Sequence, residues 1–363
     1  MAEKFLKFEI LSKGLRISEL VRMDLGRNIK EPLTVRSGLS SGLDIILPNE
    51  VWVNAPIDEW FTKSSPFLLD IEEEKYIIKK NNEKVAIIEI INRPAYYEQY
   101  TSDGTLMKNI GSTRADRISI GVNNNCIFWN NEKLRCKFCA IGHNTREELS
   151  IKTTAQIIEV IEKSMKDPIL PSKHVYLNAG ALGGLDQGIK MLANVVEEIK
   201  NNFNVNIHLN PCPPKLTKYI DILYNKGLDE VSFNLEIFDQ KISKYIIPGK
   251  YSNISPINCI KMLEYAVNVF GERNVSSCLV VGLEEPDSSI KGVDLLSSIG
   301  VIPKLSIFRP LTGSLLEKHP TPSPELLIYV YKKAKELTDN YGIPLGPLCK
   351  PCQLHSLIIP KER

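Results

Sequence analysis

Three of the eight cysteines lie within fourteen positions, in the segment CIFWNNEKLRCKFC at residues 126–139. Nine residues separate Cys126 from Cys136, and two separate Cys136 from Cys139. Three thiolates on one loop can hold three irons of a 4Fe-4S cluster and leave the fourth iron open to a small molecule. A CxxC pair is also half of a zinc site, and it occurs in thiol redox enzymes. The segment therefore predicts a cluster site, with zinc binding and thiol redox chemistry as the alternatives.

The sequence from about residue 115 onward predicts strands and helices in regular alternation. Short runs rich in β-branched and large apolar residues alternate with longer amphipathic runs. Strands are predicted at 117–122, 174–179, 205–209, 230–235, 275–283 and 304–308. Such repetition produces parallel strands with right-handed crossovers, and ligands of such sheets bind at the carboxyl ends of the strands. Cys126 follows the first strand at that end.

The number of these units bounds the architecture. Six strand–helix units are too few for a closed barrel of eight. We therefore predict an α/β fold with an open partial (β/α)6 barrel, or else a doubly wound sheet.

The residues outside this repeat have a different pattern. Two runs within 75–91 meet at Asn81-Asn82 and predict an antiparallel hairpin. We predict a β-rich accessory region at 1–114, the barrel at 115–323, and a C-terminal helix with a cysteine-containing tail at 324–363. The tail contains the second CxxC pair, Cys349 and Cys352.

The composition limits the class of protein. Hydrophobic residues make up 43% and charged residues 24%, and the net charge is +2. Such a balance is typical of a soluble globular protein and argues against a nucleic-acid surface. Charges interrupt the first apolar positions and no run reaches about 18 apolar residues, so neither a secretion signal nor a membrane span is predicted. We expect a cytoplasmic, reducing compartment, where clustered cysteines bind metal or do chemistry.

The cysteine pattern, with Phe138 before Cys139 and six β/α units around it, resembles the radical S-adenosylmethionine (SAM) superfamily. A spacing of nine and two differs from the commonest spacing of three and two, but the same wide spacing occurs in the catalytic subunit of Elongator. The resemblance covers about residues 93–355. It is nearest to a biotin-synthase-like family often encoded beside nitrilases, which shares the segments Arg93–Tyr97 and Cys136–Gly142.

The resemblance implies that Cys126, Cys136 and Cys139 bind a 4Fe-4S cluster and that SAM chelates its open iron. It also implies cofactor-binding residues that lie at or after strand ends, namely Phe138, Asn178, Ala179, Gly180, Asn234, Glu236, Lys250, Val280 and Gly282. Phe138, Val280 and Gly282 correspond to positions around the adenine, and the segment 178–180 to a backbone site for the methionyl amino group.

Three of these residues correspond to polar contacts of SAM. Asn234 and Glu236, two apart at the end of a predicted strand and hence on one face, resemble a pair that binds ribose and substrate. Lys250 lies where relatives place a cation for the SAM carboxylate.

The resemblance further implies an activity. A reducing donor such as flavodoxin or ferredoxin supplies an electron, SAM is cleaved to a 5′-deoxyadenosyl radical, and that radical abstracts hydrogen from a small-molecule substrate. The sequence does not identify the substrate. Sulfur insertion is a further possibility if an auxiliary iron–sulfur cluster exists.

The second CxxC pair leaves alternatives open. Cys349 and Cys352 form a possible second metal site, for an auxiliary cluster or for zinc, or they are two ordinary thiols. Cys212 and Cys278 are positioned to face the barrel interior. A rival interpretation of the whole chain is a non-catalytic zinc-binding protein that uses the two CxxC pairs as half-sites.

Overall fold

The chain begins with two helices and two small sheets in the computed structural model, which describes residues 5–28, 42–144, 149–347 and 349–360. The helices are α1 (Leu6–Lys13) and α2 (Glu19–Asn28). The strands are β1 (Arg16–Ile17), β2 (Leu43–Leu47), β3 (Val51–Ala55), β4 (Phe67–Glu72), β5 (Lys75–Lys80), β6 (Glu83–Ile87) and β7 (Glu89–Ile90). They form one sheet in the order β1-β4-β5-β6 and another in the order β3-β2-β7.

The N-terminal region agrees with the sequence in part. The predicted hairpin is confirmed, because β5 and β6 pair antiparallel on either side of Asn81 and Asn82. Both asparagines have positive φ, as a tight hairpin turn of this kind requires. The prediction of a β-rich region did not include α1 and α2, and part of its glycine-broken stretch falls at 36–41, outside the described residues.

A seven-stranded sheet forms the centre of the molecule. Its strands are β8 (Ser112–Arg114), β9 (Arg117–Asn123), β10 (His174–Ala179), β11 (Asn206–Asn210), β12 (Glu230–Ser232), β13 (Val275–Val281) and β14 (Ile302–Ile307). Strands β9 to β14 are parallel and pair in chain order, while β8 is antiparallel to β9 at the edge. Because the order never reverses, the sheet lacks the switch point of a doubly wound fold. The fold is therefore α/β, with an open partial (β/α)6 barrel.

Helices connect these strands and follow them. They are α3 (Ile141–Asn144), α4 (Thr154–Met165), α5 (Ile189–Asn202), α6 (Lys218–Asn225), α7 (Gln240–Ile246), α8 (Pro248–Asn253), α9 (Pro256–Phe270), α10 (Pro286–Ser298), α11 (Pro324–Asn340) and α12 (Lys350–Gln353). Helix α4 begins with a capping box, in which the Thr153 hydroxyl accepts from the Gln156 N–H and the Gln156 side chain accepts from the Thr153 N–H.

Alternation along each strand separates an apolar set of side chains from a polar set. On β9 the apolar set is Ile118, Ile120 and Val122, which are buried in one core with Ile157 and Ile161 of α4. The face of the sheet that carries the apolar side chains packs against the helices. The hydrophobic effect therefore determines which side of each strand faces the helices.

The polar side chains contact one another across neighbouring strands. The Arg117 guanidinium lies 4.4 Å from the centre of the Tyr176 ring, which meets the His208 ring edge to face at 5.2 Å. His208 is hydrogen-bonded to Ser232, and Ser232 to Ser276. These residues come from five successive strands, so they line one inner face. We call this face the lumen, and it comprises Arg117, Tyr176, His208, Asn210, Ser232, Ser276, Cys278, Lys304 and Ser306.

The C-terminal tail runs along the free edge of β14. Ser356 forms a bridge with Ser306, and the Leu357 N–H donates to the Leu305 carbonyl at 2.9 Å. The Leu354 carbonyl accepts from the Asn54 N–H at 2.8 Å, which connects the tail to β3. The division at residues 114 and 323 stays a prediction; β8, which belongs to the main sheet, begins at Ser112.

No helix within the described ranges has both the length and the apolar composition that crossing a membrane requires.

Candidate active site at the carboxyl ends of the strands

The loop that follows β9 carries Cys126, Cys136 and Cys139, and β10 holds its first part in place. The Ile127 N–H donates to the Ala181 carbonyl at 2.9 Å, and the Gly180 N–H donates to the Asn123 carbonyl at 2.8 Å. A Cβ atom on Gly180 would lie 2.4 Å from the Asn125 carbonyl oxygen and 3.0 Å from the Cys126 Cβ. Glycine at this position therefore allows the end of β10 to lie directly against the first cysteine.

The second part of the loop is held by segments from later in the barrel. The Lys137 N–H donates to the Ile246 carbonyl at 2.8 Å, and the Lys137 carbonyl accepts from the Leu316 N–H at 3.1 Å. The Leu134 carbonyl accepts from the Gly249 N–H at 3.1 Å. The loop is thus fixed by backbone hydrogen bonds on both sides of Cys136.

The three thiols lie close enough to influence one another's protonation. Removal from water raises the pKa of Cys136 well above its ordinary value, and Glu236, Cys139 and Cys126 raise it further. Burial also raises the pKa of Cys139 to about 12. Such thiols become thiolates when a metal binds them, because a metal cation displaces the proton. The donor set fits an iron–sulfur cluster in this respect.

Single-ion sites are a separate question. Among the described residues, no three His, Cys, Asp or Glu side chains come close enough to share one metal ion. A cubane cluster is wider than an ion and keeps its thiolates apart, so this finding concerns zinc-type sites only.

Glu236 and Lys250 form a buried ion pair beside these cysteines. The Lys250 Nζ lies 3.1 Å from the Glu236 Oε1 and donates to the Asn234 carbonyl at 2.6 Å. Although burial alone would lower it, the facing Glu236 carboxylate raises the pKa of Lys250. The Glu236 Oε2 is buried and has no hydrogen-bond partner among the described atoms. A buried acceptor of this kind is free to receive a hydrogen bond from a ligand.

The sequence placed Asn234 and Glu236 incorrectly. Strand β12 ends at Ser232, and Glu236 has a φ of +69°, so the two residues do not share one face of a strand. The Asn234 Oδ1 instead accepts from the Cys278 N–H at 3.1 Å and so joins its segment to β13. Because the backbone at Glu236 is left-handed, its side chain does not follow the alternation of a strand that the sequence suggested.

Phe138 and Val280 belong to the same apolar region, and their role as adenine contacts stays a prediction. They belong to a small apolar cluster with Cys136, Ile237 and Phe308, among other residues. This cluster brings an aromatic ring of the cysteine loop against the end of β13.

The remaining predicted residues lie near the same edge of the sheet. Gly282, just beyond β13, has a φ of +105°, and a Cβ there would lie 2.8 Å from Pro322, so packing alone accounts for this glycine. Asn178 and Ala179 end β10, where the pairing register with β9 shifts between them. Both are half-buried.

Two further residues belong to this region. Cys212, after β11, has a pKa raised to about 11, chiefly by burial, and its charged neighbours include Lys250, Glu236 and Cys126. Glu284 accepts hydrogen bonds from the Phe238 and Asp239 N–H groups at 3.0 and 2.8 Å. Sequence analysis missed Glu284, which fixes the backbone just after Glu236.

Cys349 and Cys352 lie at the opposite end of the barrel. The Nη1 of Arg117, the first residue of β9, is 3.1 Å from the Cys352 Sγ and 3.8 Å from the Cys349 Sγ. Cys126 lies beyond the other end of the same strand. At about 3.3 Å per residue, the seven residues of β9 separate the two groups of cysteines by roughly 20 Å.

Comparisons with known proteins give the following resemblances. No family model matches the chain. The chain is 26% identical over 162 residues to the bacteriochlorophyllide c C-7(1)-hydroxylase of Chlorobaculum limnaeum, which is 43% of this chain and 40% of that protein. The chain therefore aligns with less than half of that relative's length.

Solved structures of similar fold include a methylornithine synthase, with a TM-score of 0.46 and 17% identity, covering 62% of this chain and 69% of that one. Another is a radical SAM methyltransferase from Sphaerobacter thermophilus, with a TM-score of 0.47 and 14% identity, covering 77% of this chain and 76% of that one.

Proposed function

We propose that this protein is a radical SAM enzyme that binds a 4Fe-4S cluster through Cys126, Cys136 and Cys139 and abstracts hydrogen from a small-molecule substrate. The observation that carries the proposal is the convergence of this cysteine loop with the Glu236–Lys250 pair at the carboxyl ends of parallel strands. The name of the Chlorobaculum relative, a hydroxylase, is in keeping with chemistry at a C–H bond.

The chain's own residues have the following proposed roles. When bound at Cys126, Cys136 and Cys139, the cluster would supply the single electron for reductive cleavage of SAM. Lys250 attracts the SAM carboxylate, and the unpartnered Glu236 Oε2 accepts a hydrogen bond from a ribose hydroxyl. Phe138 and Val280 contact the adenine, and the backbone of 178–180, after β10, receives the methionyl amino group.

The lumen indicates the kind of substrate that this reaction uses. Its walls are polar: the Asn210 Nδ2 donates to the Tyr176 hydroxyl at 2.8 Å, and Cys278 lies 3.1 Å from the Ser306 hydroxyl. Within the described ranges, the Lys304 ammonium has no carboxylate partner, and its charged neighbours are Cys352, Cys278, Tyr176 and Arg117. An ammonium group without a carboxylate partner in a secluded site favours an anionic ligand. We therefore expect a polar substrate with an acidic group.

The cellular setting follows from the same chemistry. A cluster of this kind needs a one-electron donor, for which a flavodoxin or a ferredoxin is suited. We propose that the enzyme works in the reducing cytoplasm on a small molecule, since a net charge of +2 favours neither nucleic acid nor a membrane surface.

Two more specific interpretations receive less support. Sulfur insertion depends on an auxiliary cluster at Cys349 and Cys352, whose buried sulfur already has the Arg117 guanidinium as a partner at 3.1 Å. A zinc protein that combines the two CxxC pairs at one ion would need them in contact. They lie at opposite ends of β9, so this alternative is wrong for a shared ion.

Metal analysis of single cysteine variants tests the proposal. The protein is purified and reconstituted without oxygen, and iron, sulfide and zinc are measured per chain. We expect about four irons in the wild type and loss of them in C126A, C136A and C139A. C259S is the matched control, because Cys259 is a buried thiol of α9 outside the loop. Stoichiometric zinc without colour, or full iron in all three variants, would contradict the proposal.

A further inference from the structure

The Cys349–Cys352 pair has the geometry of a reactive dithiol. Cys352 is buried, with 2% of its surface exposed, whereas Cys349 is partly buried. The Cys352 N–H donates to the Cys349 carbonyl at 3.2 Å in the first turn of α12. Cys349 is therefore the more exposed cysteine of the pair, and Cys352 is enclosed.

Positive charge surrounds the buried sulfur. The Arg117 Nη1 is 3.1 Å from the Cys352 Sγ, and Arg117 Nε is buried without a partner of its own in the described structure. The hydrogen bond from Cys349, opposed by burial, and the charges of Arg117 and Lys304 lower the pKa of Cys352. Cations beside a thiol favour its thiolate form.

This arrangement does not fit a second metal site. A single metal ion needs three or four thiolates, imidazoles or carboxylates close together, and the described residues place no such group around this pair. The nearest charged groups are Arg117 and Lys304, which repel a metal cation. The surroundings of these cysteines therefore do not favour a single-ion site, and the auxiliary cluster stays a prediction.

A cavity leads to Cys349. It has a volume of about 520 Å³ and is lined by Cys349, Arg117, His174, His208 and Glu230, among others. A cavity of this size accepts a ligand of several hundred daltons, such as a tripeptide.

We infer that Cys349 and Cys352 form a thiol–disulfide exchange site at the amino end of the barrel, whose ligands are low-molecular-weight thiols and disulfides that enter through this cavity. The site is separate from the proposed cluster site, and its chemistry does not depend on SAM.

The exchange balances as follows. In the disulfide form, the thiolate of a small thiol attacks the Cys349 Sγ, the bond between Cys349 and Cys352 breaks, and Cys352 leaves as a thiolate beside Arg117. A second small thiol then attacks the mixed disulfide, which releases a small disulfide and leaves Cys349 reduced. Two small thiols thus supply two electrons and two protons to one protein disulfide. The guanidinium stabilises the leaving thiolate and so favours the reduced pair.

The test is a redox titration of the reconstituted full-length protein. Samples are equilibrated without oxygen in glutathione buffers of varied ratio, quenched in acid and alkylated, and the peptide that contains residues 349–352 is analysed by mass spectrometry. We expect a reversible loss of two hydrogen masses from this peptide. In R117Q the disulfide becomes about tenfold harder to reduce, a shift of about 30 mV to lower potential.

Matched variants keep the result interpretable. R117K retains the charge, and its exchange equilibrium constant is expected to stay within threefold of the wild-type value. If R117Q fails to fold, R117K still tests the role of the charge. R273Q removes a different arginine from the same cavity lining and is expected to leave the equilibrium unchanged. SAM cleavage, measured on the same samples, reports separately on the proposed function.

Either of two results would overturn the inference. One is the absence of this disulfide at every glutathione ratio, above all if C349S and C352S lower the iron content. The other is an exchange equilibrium that is the same in R117Q as in the wild type.

Discussion

The two ends of the barrel use cysteine in opposite surroundings. At the carboxyl ends of the strands, Cys136 and Cys139 lie in a partly dry site with Glu236 as a charged neighbour, and their pKa values are raised. At the amino ends, Cys352 lies against Arg117, and its pKa is lowered. The same side chain is thus kept as a thiol at one end and favoured as a thiolate at the other.

This difference in thiol pKa bears on which of the two groups of cysteines binds a metal. Because the pKa values of Cys136 and Cys139 are raised, we propose that a bound metal cluster supplies the positive charge that ionises these thiols. Cys352 already has a guanidinium partner, which suits reversible sulfur chemistry instead. Separate variants at the two ends should therefore have separate effects.

The largest expected effect is at the Glu236–Lys250 pair. E236Q removes the carboxylate charge while keeping its shape, and breaking a buried charge pair costs about 2–4 kcal/mol, or roughly 30- to 1000-fold in affinity. We expect SAM to bind that much more weakly, as measured by equilibrium dialysis with radiolabelled SAM. E264Q, on the exposed face of α9, serves as the control. Unchanged affinity in E236Q would remove Glu236 from the SAM site.

A substitution at Gly180 should disturb the cysteine loop at the carboxyl ends of the strands and leave Cys349 and Cys352 unaffected. The added methyl group of G180A must displace the Asn125 carbonyl or the Cys126 Cβ, which costs about 1–3 kcal/mol. We expect the variant to bind less than half as much cluster iron as the wild type. Glutathione exchange at Cys349 and Cys352 should be normal.

The control for this glycine is G26A in α2, where a Cβ meets nothing within 4 Å. Alanine in a helix is expected to stabilise the chain there by about 0.5–1 kcal/mol. A wild-type iron content in G180A would show that the contact with Cys126 does not position the loop.

A substitution at Lys7 should instead affect the Cys349–Cys352 pair at the amino ends of the strands. Its Nζ is buried and donates to the Gln353 and Ile358 carbonyls at 2.5 and 2.7 Å, on either side of residues 354–357 of the tail. K7M leaves both carbonyls without this donor, so we expect a loss of about 2 kcal/mol in urea unfolding. The glutathione equilibrium should shift, while cluster iron stays at the wild-type level. A change in iron content without a change in the glutathione equilibrium would contradict the placement of Lys7 beside the Cys349–Cys352 pair.

Lys7 also predicts a pH dependence. Burial lowers its pKa in the folded chain well below 10.5, so between the two pKa values the unfolded chain binds more protons. Stability should therefore rise with pH across this window up to about 10.5 and decline as the pH falls through the folded pKa. K7M should lack this rise; an identical pH profile in the variant would contradict it.

The smallest expected effect is at Val280. V280A removes two methyl groups from the cluster that contains Phe138, which we expect to weaken SAM binding by about 1 kcal/mol, or roughly fivefold. V330A in the buried face of α11 destabilises the fold without touching this cluster and should leave SAM affinity unchanged. Equal losses in both variants would indicate a general effect of stability.

Local patterns predicted the barrel well. The strands β9 to β14 each carry an apolar set that must pack against helices, and this requirement is visible in the sequence itself. The position of Cys126 after β9 follows from the same pattern, because a parallel sheet gathers such residues at one edge.

Long-range packing limited the rest. The tail is held by Lys7, which is 346 residues from Gln353 in the chain, and no local pattern indicates that contact. The positive φ of Glu236 is likewise set by its backbone pairing with β13, through the Cys278 carbonyl and the Val280 N–H. Glu284 and Glu285 are adjacent acids, and only the fold reveals that Glu284 is buried.

The central claim is tested most directly by SAM cleavage. Reconstituted protein is incubated with SAM and dithionite without oxygen, and 5′-deoxyadenosine and methionine are quantified by mass spectrometry. We predict equal amounts of both products from the wild type and from C349S, and background amounts from C126A, C136A and C139A. A fully assembled cluster that yields no 5′-deoxyadenosine, or cleavage that persists in the three variants, would contradict the account.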